Sequence, residues 1–415
     1  MILHSHYSNG IYSMLGGGII SKSLSIEKEV KNVLSDDKYI AVAQKLILLS
    51  VFSCFTYQWI ARVVIVATVL AFMFLPGVKK LVFSRKSSLL MFAFSLVGWI
   101  VSFCYLNING IVAYPMFFAI MYFCVVVREL LTRTFFEKIL DVICVGGCFA
   151  TGVALIEKII EIPNYSLRAQ AGFPNANFMG AALMIAVFVC IYKVANDAKK
   201  TYIYFIVAAI NAFGILLCGS MSLWAVMALG SLILFVLNKN TKMLIILLCI
   251  IAAVGAALVY VPQIFTRLDE VSLTTQNRIN IWNFAIENIK TAPIFGRGFY
   301  TYKHLYYQMI STRPELIQVS LAHNLLLDSV LCHGVVGTIV ILTYLGIYFK
   351  DLISCRLKLK KSKQSRTLNS FIIAVCIAIA FYGIIDTTFV WVQSGLPLLM
   401  ILLGIGADEN KLKNI

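Results

Sequence analysis

The sequence has few charged residues. Only 13% of its 415 residues carry a formal charge, whereas 60% are apolar, and the mean hydropathy is +0.88. Soluble globular chains have about 25% charged and about 45–50% apolar residues. This composition excludes an ordinary soluble protein and indicates a chain that folds in lipid. With only 8 Pro and 25 Gly and no fixed-period repeat, collagen-like, solenoid and low-complexity architectures are excluded as well.

Cysteine is missing from the longest polar stretch, 262–322, although the chain has 11 cysteines. Ten of them lie in apolar runs and Cys355 lies in a basic connector, so the sequence predicts no disulfide framework. Cys144 and Cys148 are spaced by one helical turn and could in principle share a metal, but no histidine that could complete the site lies near them in the sequence. We therefore expect buried thiols there and no metal.

Twelve apolar runs approach the ~20 residues that a helix needs to span a membrane. The sequence therefore predicts an all-α polytopic integral membrane protein with about twelve transmembrane helices. The runs cover about 40–57, 59–78, 87–106, 109–127, 135–156, 176–195, 201–218, 221–238, 241–261, 323–349, 370–390 and 392–407.

The basic residues predict the orientation of these helices. If the first run crosses outward, the inner segments hold 25 of the 35 Lys and Arg residues, whereas the short outer connectors hold none. Because basic residues stay on the cytoplasmic side, we expect a cytoplasmic tail at 1–38, one transmembrane domain at 39–407 and a cytoplasmic C-terminus at 408–415. The net charge of +16 is then explained by topology, without a nucleic-acid partner.

One of the two outer stretches that carry basic residues is 157–175, with Lys158 and Arg168. It leads into RAQAGFPNANFMGAAL, where the asparagines suit a helix cap and Pro174 suits the helix entry. A helix cap explains these residues but leaves Arg168 unexplained. We therefore predict a functional role for Arg168.

The second basic outer stretch is the loop 262–322, which is too long for a connector without structure. Its segment TTQNRINIWNFAIENIKTAP predicts an amphipathic helix in which Arg278, Trp282, Ala285 and Ile289 share one face. Arg278 heads this apolar face. It is either a ligand-binding residue or an interfacial Arg whose guanidinium reaches toward the headgroups.

The tenth run begins at its outer end with AHNLLLDSVLCHGVVGT. In a straight helix His323, Gly334 and Gly337 lie within roughly 40° of one line. We therefore expect His323 at the outer end of a smooth strip of glycine on the helix surface. Such a strip lets another helix pack closely or leaves room for a lipid tail. The helix start also favours an anion, which predicts an outer-face anion site with His323 and the two arginines.

Two carboxylates, Asp328 and Asp386, fall within predicted spans. An ionisable group inside a membrane is expensive and is therefore a functional candidate. Pairing with a buried polar group is the alternative.

Three sequence blocks resemble the bacterial O-antigen ligase and O-antigen polymerase superfamily. They are Arg168 with PNANFMGAAL, the block NRINIWNFAIENIKTAPIFGRGF, and the His-Asn, nine-residue, Gly-x-x-Gly spacing from His323 to Gly337. The resemblance covers about 40–407. It implies a C-type glycosyltransferase-like membrane fold with a large helical extracytoplasmic loop.

The resemblance also implies an activity. A glycan passes from an undecaprenyl-diphosphate carrier to an acceptor glycan or lipid core at the outer face of the bacterial inner membrane. The reaction inverts the anomeric centre and needs no metal, nucleotide or other cofactor. Polymerase and ligase differ only in the acceptor.

The same resemblance implies the roles of individual residues. Arg168 and Arg278 hold the diphosphate, while His323 contacts it or acts as a base toward the acceptor hydroxyl. Asn324 orients His323 or caps the helix. The other expected substrate-binding residues are Arg267, Arg297, Gly334 and Gly337.

Three other classes of membrane protein remain as alternatives. A secondary transporter predicts an internal repeat and helices interrupted near the midplane. A metal-dependent membrane glycosyltransferase predicts acidic residues in the first outer connector, which has none. A peptidoglycan-type polymerase predicts an essential outer-loop acid such as Asp269, Glu270 or Glu315.

Overall fold

The computed structural model describes residues 37–75, 78–84, 86–160, 168–196, 201–260, 270–359, 362–390 and 395–406. Within these ranges the chain is helical and forms no strand. The predicted terminal segments, 1–38 except for its last two residues and 408–415, lie outside the described residues. Arg267 lies outside them as well.

The helices of the first half are α1 Asp37–Ser53, α2 Gln58–Phe74, α3 Val78–Ser84, α4 Lys86–Cys104, α5 Ile108–Leu130, α6 Arg133–Ile160, α7 Ala176–Asn196 and α8 Thr201–Leu217. Those of the second half are α9 Met221–Leu237, α10 Thr241–Tyr260, α11 Glu270–Ile289, α12 Thr301–Met309, α13 Leu325–Lys358, α14 Lys363–Tyr382 and α15 Gly395–Gly406, with a 3-10 turn at Thr388–Val390.

Each of the twelve predicted apolar runs overlaps one of these helices, and only α3, α11 and α12 have no counterpart among the runs. Within the described ranges five helices, α5, α6, α7, α13 and α14, are long and apolar enough to cross a membrane. The prediction of a helical, multi-pass membrane protein is confirmed. The count of twelve spans and the orientation of the termini stay predictions.

Helix α7 lies at the centre of the bundle. Its sequence is apolar all round, which is typical of a helix enclosed by protein, and of the five long apolar helices it is the most completely buried. Helices α6, α8, α9, α14 and α15 pack around it. The first turn of α7 is therefore held in a fixed place at one end of the bundle.

Helices α11 and α12 pack against the first part of α13, as the predicted amphipathic helix requires. Ile281, Phe284 and Ala285 of α11 are buried in one cluster with Tyr302 of α12 and Leu331 of α13. This cluster confirms that the apolar face of α11 points into protein. Because the cluster fixes the rotation of α11 about its axis, it also determines the direction in which the Arg278 position faces.

Helix α13 is interrupted at Gly334, where φ is +65° and ψ is −175°. The interruption leaves backbone N–H groups without helical partners, and the loop after α11 supplies the acceptors. Val335 N–H donates to the Pro293 carbonyl at 2.8 Å, and Val336 N–H donates to the Ile294 carbonyl at 3.2 Å. The loop thus takes the place of the missing helical turn.

The same loop contacts the other side of the interruption, where Gly298 N–H donates to the Cys332 carbonyl at 2.7 Å. The part of α13 after Gly334 has 24 residues up to Lys358, or about 36 Å, which already exceeds a hydrocarbon core of about 30 Å. The part before Gly334 is therefore not needed to span the bilayer. It is available to build a site at one end of the bundle.

We expect Gly334→Ala to destabilise the protein by more than about 1 kcal/mol, because a Cβ there would lie 2.2 Å from the Ile294 carbonyl oxygen and φ is positive. Gly346→Ala in the same helix is the matched control, since a Cβ at Gly346 meets nothing within 4 Å. Thermal unfolding of the two purified variants measures the difference. Equal midpoints would contradict the described kink.

Candidate functional site

The start of α13 is tied to the end of α14 by hydrogen bonds. The Asn324 side chain accepts from Leu327 N–H at 3.0 Å and donates to the Ile384 carbonyl at 3.1 Å. Leu325 N–H donates to the Gly383 carbonyl at 2.6 Å. Asn324 therefore caps α13, one of its two predicted roles, and holds the turn before α13 against the turn after α14.

His323 precedes this cap in a left-handed backbone conformation, with φ of +51°. Such a conformation costs a non-glycine residue about 1–3 kcal/mol, so the surrounding contacts must impose it. One of these contacts is the buried Asp328 side chain, which accepts a hydrogen bond from Ala322 N–H at 2.9 Å. His323 thus lies before α13 and not inside it, which corrects the predicted span of 323–349.

Asp386 faces His323 from the turn after α14 and is only 2% exposed. His323 Nδ1 lies 3.1 Å from Asp386 Oδ1. The carboxylate also accepts hydrogen bonds from Asn177 Nδ2 at 2.9 Å and from Thr387 N–H at 2.7 Å. The prediction that Asp386 lies inside a span is wrong, because α14 ends at Tyr382.

Arg168 joins the same group through Asn177. Its guanidinium donates to the Asn177 side-chain oxygen, while its Nε donates to the Cys218 carbonyl at 2.7 Å. The amide of Asn177 therefore bridges a guanidinium and the Asp386 carboxylate. The result is a continuous chain of side chains from Arg168 to His323.

A separate set of contacts positions Arg168. The Glu157 carboxylate accepts hydrogen bonds from the N–H groups of Gln170 at 2.9 Å and Ala171 at 2.7 Å. Ala169 N–H donates to the Leu217 carbonyl at 3.2 Å, at the end of α8. The segment that carries Arg168 is thus anchored to both α6 and α8.

Arg278 of α11 is a second guanidinium near this group. Its charge acts on both His323 and Asp386. It makes no hydrogen bond or salt bridge with any residue that the structure describes, and its side chain is half-buried. The site therefore contains a guanidinium close to the His323–Asp386 pair that forms no salt bridge with a described carboxylate.

The contact between His323 and Asp386 determines the protonation states of both residues. Burial disfavours the charged form of His323, but the neighbouring Asp386 carboxylate outweighs burial and raises the pKa of His323 above its ordinary value of 6.5. Burial likewise disfavours the Asp386 carboxylate. The charge of His323 and its hydrogen bond outweigh this effect and lower the pKa of Asp386. The pair therefore favours imidazolium and carboxylate.

Arg297, another predicted substrate-binding residue, lies away from this group, on the loop that follows α11. Its guanidinium donates to the Thr291 hydroxyl at 2.6 Å and lies 5.1 Å from the ring centre of Tyr105. Its carbonyl accepts from the Asn107 side chain at 2.9 Å. These contacts hold the loop to the turn between α4 and α5.

The predicted glycine strip below His323 does not form. Gly334 is buried at the interruption of α13 against the Ile294 carbonyl, and the Cβ of His333 lies 2.6 Å from where a Cβ on Gly337 would be. The line through His323 assumed one straight helix. A lipid groove along that line is therefore not supported at Gly334.

The sequence reasoning missed Asn177. It treated Asn175 and Asn177, at the start of α7, together as caps, but of the two Asn175 has this role, because its side chain accepts from Asn177 N–H at 2.8 Å. One side chain is enough to cap the first turn. The spare second asparagine, close to Arg168 in the sequence, was the available signal.

The fold and the site define a helical, multi-pass membrane protein with a cationic group of side chains at one end of its bundle. Residues 203–342 match the family model described as O-antigen ligase. The resemblance to the O-antigen ligase and polymerase family is thereby confirmed over these residues, which include Arg278 and His323. No curated protein matches the chain.

We expect Asp386→Asn to lower the pKa of His323, because burial and the charge of Arg278 are then opposed only by the more weakly acting carboxylate of Asp328. Titration of ring-labelled histidine by NMR measures this pKa. Asp351→Asn, at an exposed position near the other end of α13, is the control and should leave the titration unchanged. An unshifted His323 in Asp386→Asn would contradict the pairing.

Proposed function

We propose that this protein transfers a glycan from an undecaprenyl-diphosphate carrier to a hydroxyl of an acceptor glycan, at the outer face of the bacterial inner membrane. The observation that carries the proposal is the series of side-chain contacts that runs from Arg168 through Asn177 and Asp386 to His323. Arg278 lies beside this series. The family match supports a reaction of O-antigen ligase or polymerase type.

The leaving group explains the arginines. As the bond from the anomeric carbon to the diphosphate oxygen breaks, its electron pair leaves with the diphosphate, which gains negative charge. Fixed guanidinium groups bind phosphate oxygens through charge-assisted hydrogen bonds. Because the charge grows along the reaction, Arg168 and Arg278 stabilise the transition state more than the bound substrate.

The second half of the reaction is attack by the acceptor hydroxyl. Its oxygen bonds to the anomeric carbon on the face opposite the diphosphate, so that direct displacement inverts this centre. His323 Nδ1 is held by Asp386, which leaves Nε2 for the proton of the hydroxyl. In this proposal His323 is the general base, Asp386 orients it, and no metal takes part.

The alternatives have less support. A transporter needs an interrupted helix whose free backbone groups bind the substrate. At Gly334, however, the N–H groups freed by the interruption already donate hydrogen bonds to carbonyls of the loop after α11. A peptidoglycan-type polymerase needs an available outer-loop acid. Of the three candidate acids, Glu315 forms a salt bridge with Arg313 at 3.0 Å, whereas Asp269 and the side chain of Glu270 are outside what the structure describes.

We expect Arg278→Gln and Arg168→Gln each to lower glycan transfer at least about a hundredfold, as does loss of one group that stabilises a developing anion. Lys290→Gln is the matched control, since Lys290 is an exposed cation directly after α11, and it should retain normal transfer. The assay follows the product formed by purified protein from a carrier-linked glycan and an acceptor. Near-normal product from both arginine variants would refute the proposal.

A general base must be deprotonated, so kcat/KM should rise with pH through the pKa of His323, which lies above 6.5. Asp386→Asn should move this rise to lower pH and reduce the maximal rate. A pH-rate profile of both proteins measures the two effects. A rate that falls over the same pH range would instead assign His323 as a cationic ligand of the diphosphate.

A further inference from the structure

A second cation without an acidic partner lies in α2. Arg62 makes no hydrogen bond or salt bridge with the described part of the chain, and its Nε is buried without an acceptor. Its guanidinium carbon lies 4.4 Å from the ring centre of Trp59. A buried guanidinium N–H without an acceptor is costly, so this position suits an anion that completes its hydrogen bonds.

Arg62 lies on the same side of the bundle as the His323 site. Gln58, the first residue of α2, donates its N–H to the Gly172 carbonyl at 3.3 Å, in the segment that carries Arg168. Arg62 follows four residues later, about 6 Å along the helix. Its charge also acts on Tyr300 at the start of α12.

The surroundings of Arg62 favour a lipid ligand. Trp59 is 56% exposed and Val63 is 66% exposed, so this face of α2 is apolar and open. In a membrane protein such a face meets lipid, and Trp beside Arg is typical of the headgroup layer. The anion common in that layer is phosphate, which a guanidinium binds bidentately.

We propose that Arg62 and Trp59 form a second anion site, separate from the His323 site, for the phosphate of a lipid headgroup. Two lipids offer this chemistry: an anionic phospholipid of the surrounding membrane, or a second carrier-linked glycan that serves as acceptor. The second source rests on the proposed function, and the first does not.

The test measures binding and needs no glycan transfer, so its failure is distinguishable from failure of the proposed function. Purified protein in phosphatidylcholine nanodiscs is titrated in one arm with phosphatidylglycerol and in the other with geranylgeranyl diphosphate. Tryptophan emission reports binding, and the difference from Trp59→Phe isolates the signal of Trp59 among the 5 tryptophans.

We expect at least one probe to change the emission of Trp59, and Arg62→Gln to weaken that probe's apparent affinity about tenfold or more. Arg62→Lys, which keeps the charge, should lie between Arg62→Gln and the unmodified protein. Lys45→Gln, which removes an exposed cation from α1, and Arg278→Gln should leave the Trp59 response unchanged. Comparable melting temperatures show that the variants fold.

The two arms identify the lipid. A response to phosphatidylglycerol alone assigns the site to membrane phospholipid, and a response to geranylgeranyl diphosphate alone assigns it to a carrier-linked lipid. Wild-type affinity of Arg62→Gln for both probes would overturn the proposal. An unchanged emission difference between the wild-type protein and Trp59→Phe in both arms would also overturn it.

Discussion

The arrangement of the site depends on one buried carboxylate. Asp386 is almost completely removed from solvent, where an ionised group persists only if charges and hydrogen bonds replace its hydration. His323 and Asn177 supply side-chain donors, and Thr387 supplies a backbone N–H. These partners belong to the regions around α13, α7 and α14. The need to satisfy a single acid therefore brings three distant parts of the sequence to one place.

The balance of charge around that acid explains why an anion suits the site. Arg168 is connected to Asp386 through Asn177, and Arg278 adds a second guanidinium whose charge acts on the same carboxylate. Asp328 contributes a second acid, but its carboxylate is directed to the backbone of the turn before α13. The positive groups on this surface thus outnumber the acids available to neutralise them. A diphosphate that gains charge as its sugar leaves fits this surplus.

The sequence predicted twelve of the described helices well, because each of these is an apolar run that must be buried or meet lipid. It also predicted that Arg168, Arg278 and His323 lie together, since the two arginines depart from the charge pattern of the connectors and His323 lies at the start of a predicted helix. It did not predict two irregularities of the backbone. The left-handed turn at His323 and the interruption at Gly334 depend on partners far away in the chain, and helical periodicity contains no information about them.

The loop that follows α11 has an unusual position for a connector. Its carbonyl groups at Pro293 and Ile294 replace the backbone of a broken transmembrane helix, so its length is fixed as strictly as that of the helix itself. A residue inserted between Ala292 and Gly298 would move the Pro293 and Ile294 carbonyls, or the Gly298 N–H, out of register with α13. Homologous chains should therefore vary in length elsewhere on this surface and keep this segment constant, although sequence alone would describe it as an ordinary surface loop.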